Sequence, residues 1–244
     1  MTYRLISTVL AKGSFKGTEV ALVTGKRCYL SGTQAIMVPS KSRLELPNAS
    51  PAHFSRKGMR EEIFDTAGTG LKIEILDLQK MIASNSTALG MFPYAKRIKM
   101  GGKTILEAGS VVVSPSYGIN SKSDGKTPYL LHAVMITGIR DWNSNVTALR
   151  RSVEACMDTA HHMSLQSLTF PSELPKNMEL HIGKKVSTIA STIKNWLMFT
   201  QESINTIKSV VIFLPVLESR DLIQEAVSAF RQFFRPEKPA KNNP

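Results

Sequence analysis

Thr127-Pro128-Tyr129-Leu130-Leu131-His132-Ala133-Val134-Met135-Ile136 opens the stretch that decides the fold, and the stretch runs on to Pro175. Tyr129–Thr137 is almost wholly apolar and predicts a strand carrying one histidine. Val146, Leu149, Val153, Cys156, Met157 and Ala160 then recur at spacings of three and four, the stripe of an amphipathic helix. Asn143, Ser144 and Asn145 are N-cap candidates before it. Ser167–Phe170 predicts a second strand, and Pro171 and Pro175 bound a loop. Strand, helix, strand is the unit of a layered α/β sheet, with right-handed crossovers where neighbouring strands run parallel. Within an apolar strand His132 is expected to pack in the core.

The same pattern extends outward. Glu19–Thr24, Thr33–Val38, Ser110–Ser114 and Lys208–Leu214 predict further strands, several of them apolar throughout. Strands of that kind are covered on both faces. Val186, Ile189, Ala190, Ile193 and Leu197 form a second helical stripe. Leu222, Ile223, Ala226, Phe230 and Phe233 form a third, with Ser219 as cap and Asp221 in the first turn. Gly58–Ala67 predicts a shorter helix stopped by Gly68 and Gly70. Ile73–Met81 fits helix or strand, and Gly101-Gly102 reads as a turn. The expected class is α/β: three α/β/α layers, with a mixed central sheet and helices on both faces. Residues 1–235 are expected to form one domain. Residues 236–244 continue a proline-rich run with no aliphatic cluster, so a disordered tail is expected.

Of the 244 residues 42% are hydrophobic, enough for a sizeable core. No run approaches the roughly 18 apolar residues of a membrane span. Met1–Leu10 is a poor signal peptide, so a cytoplasmic or nuclear location is expected, not secretion. Two cysteines, Cys28 and Cys156, make neither a disulfide framework nor a zinc site, and reduced thiols are expected. The formal net charge is +12, and the first sixty residues hold ten basic residues against Glu19 and Glu45. A basic surface concentrates polyanions. A basic surface with no specific partner stays open.

Five segments carry a family resemblance. Gln34-Ala35-Ile36-Met37-Val38-Pro39-Ser40 matches an early strand, and Gly58 to Gly68 a glycine-led helix. Ala108-Gly109-Ser110-Val111-Val112-Val113-Ser114-Pro115-Ser116-Tyr117 matches a later strand. Tyr129 to Val134 matches a "Tyr-Ile-Ile-His-Thr-Val" strand, and Leu165 to Pro171 a "Ser-Ile-Ala-Phe-Pro" strand. In this order, over roughly Glu19 to Phe234, they resemble the macro domain family. The resemblance implies a pocket for ADP-ribose or a related nucleotide. By position, Ser40, Gly58, Gly109, Ser114, Phe170 and Ser172 are its candidate residues.

The departures bear on function. Where the family places an adenine-holding aspartate, this chain has Lys26 and Arg27, which cannot accept that hydrogen bond. Ser40 stands where hydrolytic members carry an asparagine. Leu46 to His53 contains two prolines, which supply no N–H to a phosphate. Ser172-Glu173-Leu174-Pro175 replaces a glycine-rich loop and adds a negative charge. The expectation is therefore a non-catalytic module with no cofactor and no metal. Its expected partner is RNA, single-stranded DNA or another polyanion. ADP-ribose binding is the alternative, and a structural or assembly role on the same fold is the third reading. Protein partners are not indicated.

The candidate cations are Lys26, Arg27, Lys41, Arg43 and Arg56, with Lys57, Arg60, Lys96 and Arg97. Tyr29, Phe54, Phe92 and Tyr94 are candidates for stacking beside them. His53 is a candidate surface contact, and His161-His162 falls at a helix end. No Ser/His/Asp or Cys/His arrangement, Walker-type loop or clustered catalytic carboxylates can be assigned.

Overall fold

Successive residues of a strand point to opposite faces of its sheet, and the run Ser209–Pro215 shows the consequence here. Val210, Ile212 and Leu214 pack into one core, Val211 and Phe213 into a second. A sheet apolar on both faces needs a covering layer on each.

The computed structural model describes residues 7–47, 58–84, 86–136, 142–174, 180–216 and 219–235. In chain order the elements are β1 (Thr8–Phe15), β2 (Thr18–Gly25), β3 (Ala35–Lys41), α1 (Met59–Ala67) and α2 (Thr69–Ala83). Then come β4 (Arg97–Met100), β5 (Lys103–Leu106), β6 (Val111–Pro115), α3 (Gly118–Lys122) and β7 (Tyr129–Ile136). The chain continues with α4 (Trp142–His162), β8 (Ser167–Pro171), α5 (Ile182–Phe199), β9 (Ser209–Pro215) and α6 (Arg220–Arg231).

Seven strands form one sheet in the order β1-β2-β9-β8-β3-β7-β6. The inner pairs β2–β9, β9–β8, β8–β3 and β3–β7 are parallel. The outer pairs β1–β2 and β6–β7 are antiparallel, so the sheet is mixed, as expected. Helices α4, α5 and α6 cover one face through residues such as Leu149, Val153, Ile189 and Phe230. Helices α1 and α2, with Ile119 of α3, cover the other through Ile63, Phe64, Leu71 and Ile75. All six expected strands are present, each end within three residues of its expected place.

Local chemistry explains the rest. In α2, Leu71, Ile75, Leu78 and Ile82 are buried at spacings of four, three and four, which makes Ile73–Met81 helical. Gly68, with φ of 80°, ends α1 as expected, whereas Gly70 lies inside α2 and stops nothing. Ser219 accepts a hydrogen bond from the Asp221 N–H at 3.2 Å and caps α6. The N-cap expectation for α4 is corrected: the helix already includes Trp142, which puts Asn143, Ser144 and Asn145 inside its first turn. Gly101 and Gly102 join β4 to β5 with φ of 56° and 73°, the left-handed pair that a tight two-residue hairpin requires. This hairpin is a separate two-stranded sheet.

Strand β1 was not expected. It lies on the edge of the sheet, where alternating exposed residues dilute the apolar signal. Cys28 and Cys156 are both free and buried, and burial pushes both thiols up. No described helix is long and apolar enough to cross a membrane. Residues 236–244, Arg56, Lys57, His53 and Phe54 lie outside the described residues.

Candidate ligand-binding site

Parallel strands end together, and the crevice outside their C-terminal ends is where ligands of open α/β sheets bind. Here β2 ends at Gly25, β8 at Pro171 and β9 at Pro215, facing the N-terminus of α1 at Gly58 and Met59. Between them lies a cavity of about 690 Å³, a volume suited to a small molecule. Phe213, Val216 and the two prolines give it apolar wall, and its charged lining is Lys26, Arg27, Glu62 and Glu173.

The charges are matched. Arg27 Nε lies 3.1 Å from Glu62 Oε1. Burial pushes the Glu62 carboxyl up, and the nearby Arg27 guanidinium opposes that shift. Cys28, also in the lining, has its thiol raised first by burial and then by Glu62 and Glu173, which disfavours the thiolate a nucleophile needs.

The decisive contact is at the start of α1. The Met59 N–H donates to Glu173 Oε1 at 3.1 Å. A helix N-terminus presents unpaired N–H groups and the positive end of the macrodipole, which favours an anion. Glu173, brought from the segment after β8, supplies one from within the chain. Gly58 makes room for it: a Cβ there would stand 2.9 Å from Glu173 Oε1 and 2.5 Å from Glu61 Oε2. With Glu61 and Glu62 in the first turn, three carboxylates surround this helix start.

The other residues suggested by the resemblance lie elsewhere. Ser40 is buried and its hydroxyl donates to the Val38 carbonyl. Ser114 is hydrogen-bonded to His132 Nε2 at 2.8 Å across the β6–β7 pair. His132 is fully buried, and desolvation first and Arg60 second pull its pKa down to about 3. It is a neutral core imidazole at neutral pH. Gly109, with φ of 88°, packs its backbone against Arg151 of α4. Phe170 belongs to the core. Ser172 is buried beside Glu173, its N–H donates to the Phe213 carbonyl, and its hydroxyl has no partner among the described residues. Of the six, Gly58 lines the cavity.

The candidate cations also separate. Lys26 and Arg27 line the cavity. Lys41 pairs with Glu45 at 2.6 Å. Arg60 donates to the Glu45 carbonyl and sets its guanidinium 5.1 Å from the Phe64 ring centroid. Arg97 donates to the Ser86 carbonyl at 2.9 Å. Arg43 and Lys96 are exposed. Sequence reasoning passed over Lys99 and Lys103, which stand exposed on the β4–β5 hairpin with no ion pair among the described residues. It also passed over Glu62 and Phe213 as lining; only the positions of β9 and α1 in three dimensions reveal them. The stacking expectation is corrected for Tyr29, which is buried in the second core, while Phe92 and Tyr94 are half-buried. No group of three or more metal-ligating side chains occurs among the described residues.

The sequence matches no protein-family model and none of the curated proteins. Solved structures do resemble it. The Oceanobacillus iheyensis macrodomain with ADP is 15% identical, with a TM-score of 0.64 over 94% of this chain and 97% of that one. The macro domain of ganglioside induced differentiation associated protein 2 is 15% identical, with a TM-score of 0.58 over 88% of this chain and 84% of that one. The Trypanosoma brucei macrodomain in complex with ADP-ribose is 12% identical, with a TM-score of 0.55 over 86% of this chain and 68% of that one. The sheet order, the layers and these likenesses agree: the chain has a macro-like fold.

Proposed function

We propose that this protein is a non-catalytic macro-like module that binds RNA or single-stranded nucleic acid through exposed cations. The carrying observation is the β4–β5 hairpin. Lys96, Lys99 and Lys103 stand exposed on or beside it with no ion pair among the described residues, and no acidic residue falls between Lys96 and Leu106. Cations free of partners release bound counterions from a polyanion with few contacts to break first. A net charge of +12 supports the same reading.

The buried chemistry argues against catalysis. His132 is neutral and tied to Ser114, and the Cys28 thiol is held protonated. A second reading has its own observation. The cavity of about 690 Å³ at the strand ends suits a nucleotide, and two of the similar solved macrodomains hold ADP and ADP-ribose. One pair of assays separates them. Single-stranded RNA binding titrated with salt should weaken steeply, and an affinity indifferent to salt removes the proposal. Calorimetry with ADP-ribose should show no micromolar binding, and such binding establishes the second reading.

A further inference from the structure

We infer that Glu173 is the specificity determinant of the cavity. Its carboxylate holds the anion position at the N-terminus of α1, so the cavity rejects phosphorylated ligands that its size and its Lys26–Arg27 rim would otherwise admit. The inference concerns the cavity alone and does not depend on the RNA-binding surface.

Three independent features support it. The first is the hydrogen bond from the Met59 N–H to Glu173 Oε1 at 3.1 Å, which uses a donor that an incoming phosphate oxygen would need. The second is space. Gly58 leaves open the volume that the Glu173 carboxylate enters, and any Cβ there would collide with it. The third is the lining. Two cations face two carboxylates, and Arg27 is already engaged by Glu62. A diphosphate entering this cavity would meet Glu173 at the helix start and Glu62 beside its nearest guanidinium. Like charges at such range repel strongly where water is partly excluded. Removing the Glu173 charge frees one N–H and leaves the positive helix end and Lys26 facing the cavity, with Arg27 still paired to Glu62, a balance that shifts toward phosphate. The buried Ser172 hydroxyl, with no partner of its own among the described residues, stands next in the chain to the vacated place.

The test is calorimetry on the full chain with three probes: ADP, inorganic pyrophosphate and adenosine. The proteins are the wild type, Glu173→Ala and Glu173→Gln. The wild type should bind ADP and pyrophosphate only at millimolar concentration. Glu173→Ala should bind both at least tenfold tighter, with adenosine affinity unchanged. Glu173→Gln keeps the size and one acceptor oxygen, so it should show a smaller gain in the same direction, and it serves if the alanine variant folds poorly. Equal ADP affinity in all three proteins overturns the inference. So does an equal gain for adenosine, which would mean that only space was opened. Failure of both variants to bind either phosphorylated probe overturns it as well.

Discussion

The cavity mouth and the β4–β5 hairpin carry the same kinds of side chain and put them to opposite use. At the mouth, Arg27 is matched by Glu62, and the Glu173 carboxylate is matched by the end of a helix. On the hairpin, Lys99 and Lys103 face water without a carboxylate between them. Net charge counts both regions alike. What differs is how much of each charge is left to act on a partner, and only the free charges attract one across solvent.

The largest test of this contrast removes the free charges. Replacing Lys96, Lys99 and Lys103 together by Ala should reduce the salt slope of single-stranded RNA binding by about 2, since each phosphate contact contributes roughly 0.7. At about 0.1 M salt that is on the order of a 100-fold loss of affinity. Filter binding across a salt series measures it, and an unchanged slope places the RNA elsewhere. Melting curves should move little, because exposed lysines without partners contribute little to stability.

At the mouth the expected effect is on the fold. Gly58→Val forces a branched side chain into the space between Glu61 and Glu173. Such overpacking costs about 1–3 kcal/mol, read as a lower urea midpoint. A midpoint equal to that of wild type would mean that the Glu173 contact is loose. RNA affinity should be unchanged.

His132 gives a pH test that involves neither region and so calibrates both. Its folded pKa, about 3, lies below the ordinary 6.5 of the unfolded chain. Between these values the unfolded state binds more protons, so stability rises with pH. The imidazole therefore contributes a loss that begins as pH falls through 6.5 and ends near 3, at up to about 1.4 kcal/mol per pH unit. In His132→Phe that limb should flatten in denaturant titrations from pH 7 to pH 4. An identical acid limb would show that His132 reaches solvent.

The sequence revealed the frame far better than the site, and particular residues show why. Leu149, Val153, Cys156 and Ala160 repeat at helical spacing and so announce α4 from the chain alone. Ser209–Pro215 announces a doubly covered strand by being apolar at every inner position. The site has no such repetition. Glu173 meets Met59 from 114 residues away, a contact that rests on the order of strands in the sheet. The sequence marked Glu173 as a negative charge out of place beside a phosphate, but not that it would bond a helix start. Ser40 and Ser114 looked like pocket residues by alignment of motifs, and both engage their hydroxyls with neighbours in the core.

Arg27 makes the contrast sharpest, because sequence alone groups it with Lys96 beside the hairpin and passes over Lys99 and Lys103. Its guanidinium is bound to Glu62 and lies 5.9 Å from the Tyr29 ring centroid. A polyanion that used Arg27 would have to separate it from Glu62, a carboxylate that burial already disfavours as an ion. Arg27→Ala should therefore change RNA affinity by less than about threefold, well below the hairpin effect. Its effect on stability should be at most about 1 kcal/mol, the range of a partly exposed ion pair. Loss of the guanidinium should move the Glu62 carboxyl further up, since Arg27 is the main group holding it down. Carbon-detected NMR titration of Glu62 checks that shift beside the RNA assay. An RNA loss as large as that of the hairpin variant would erase the distinction between the two regions and make the cavity mouth part of the nucleic-acid surface.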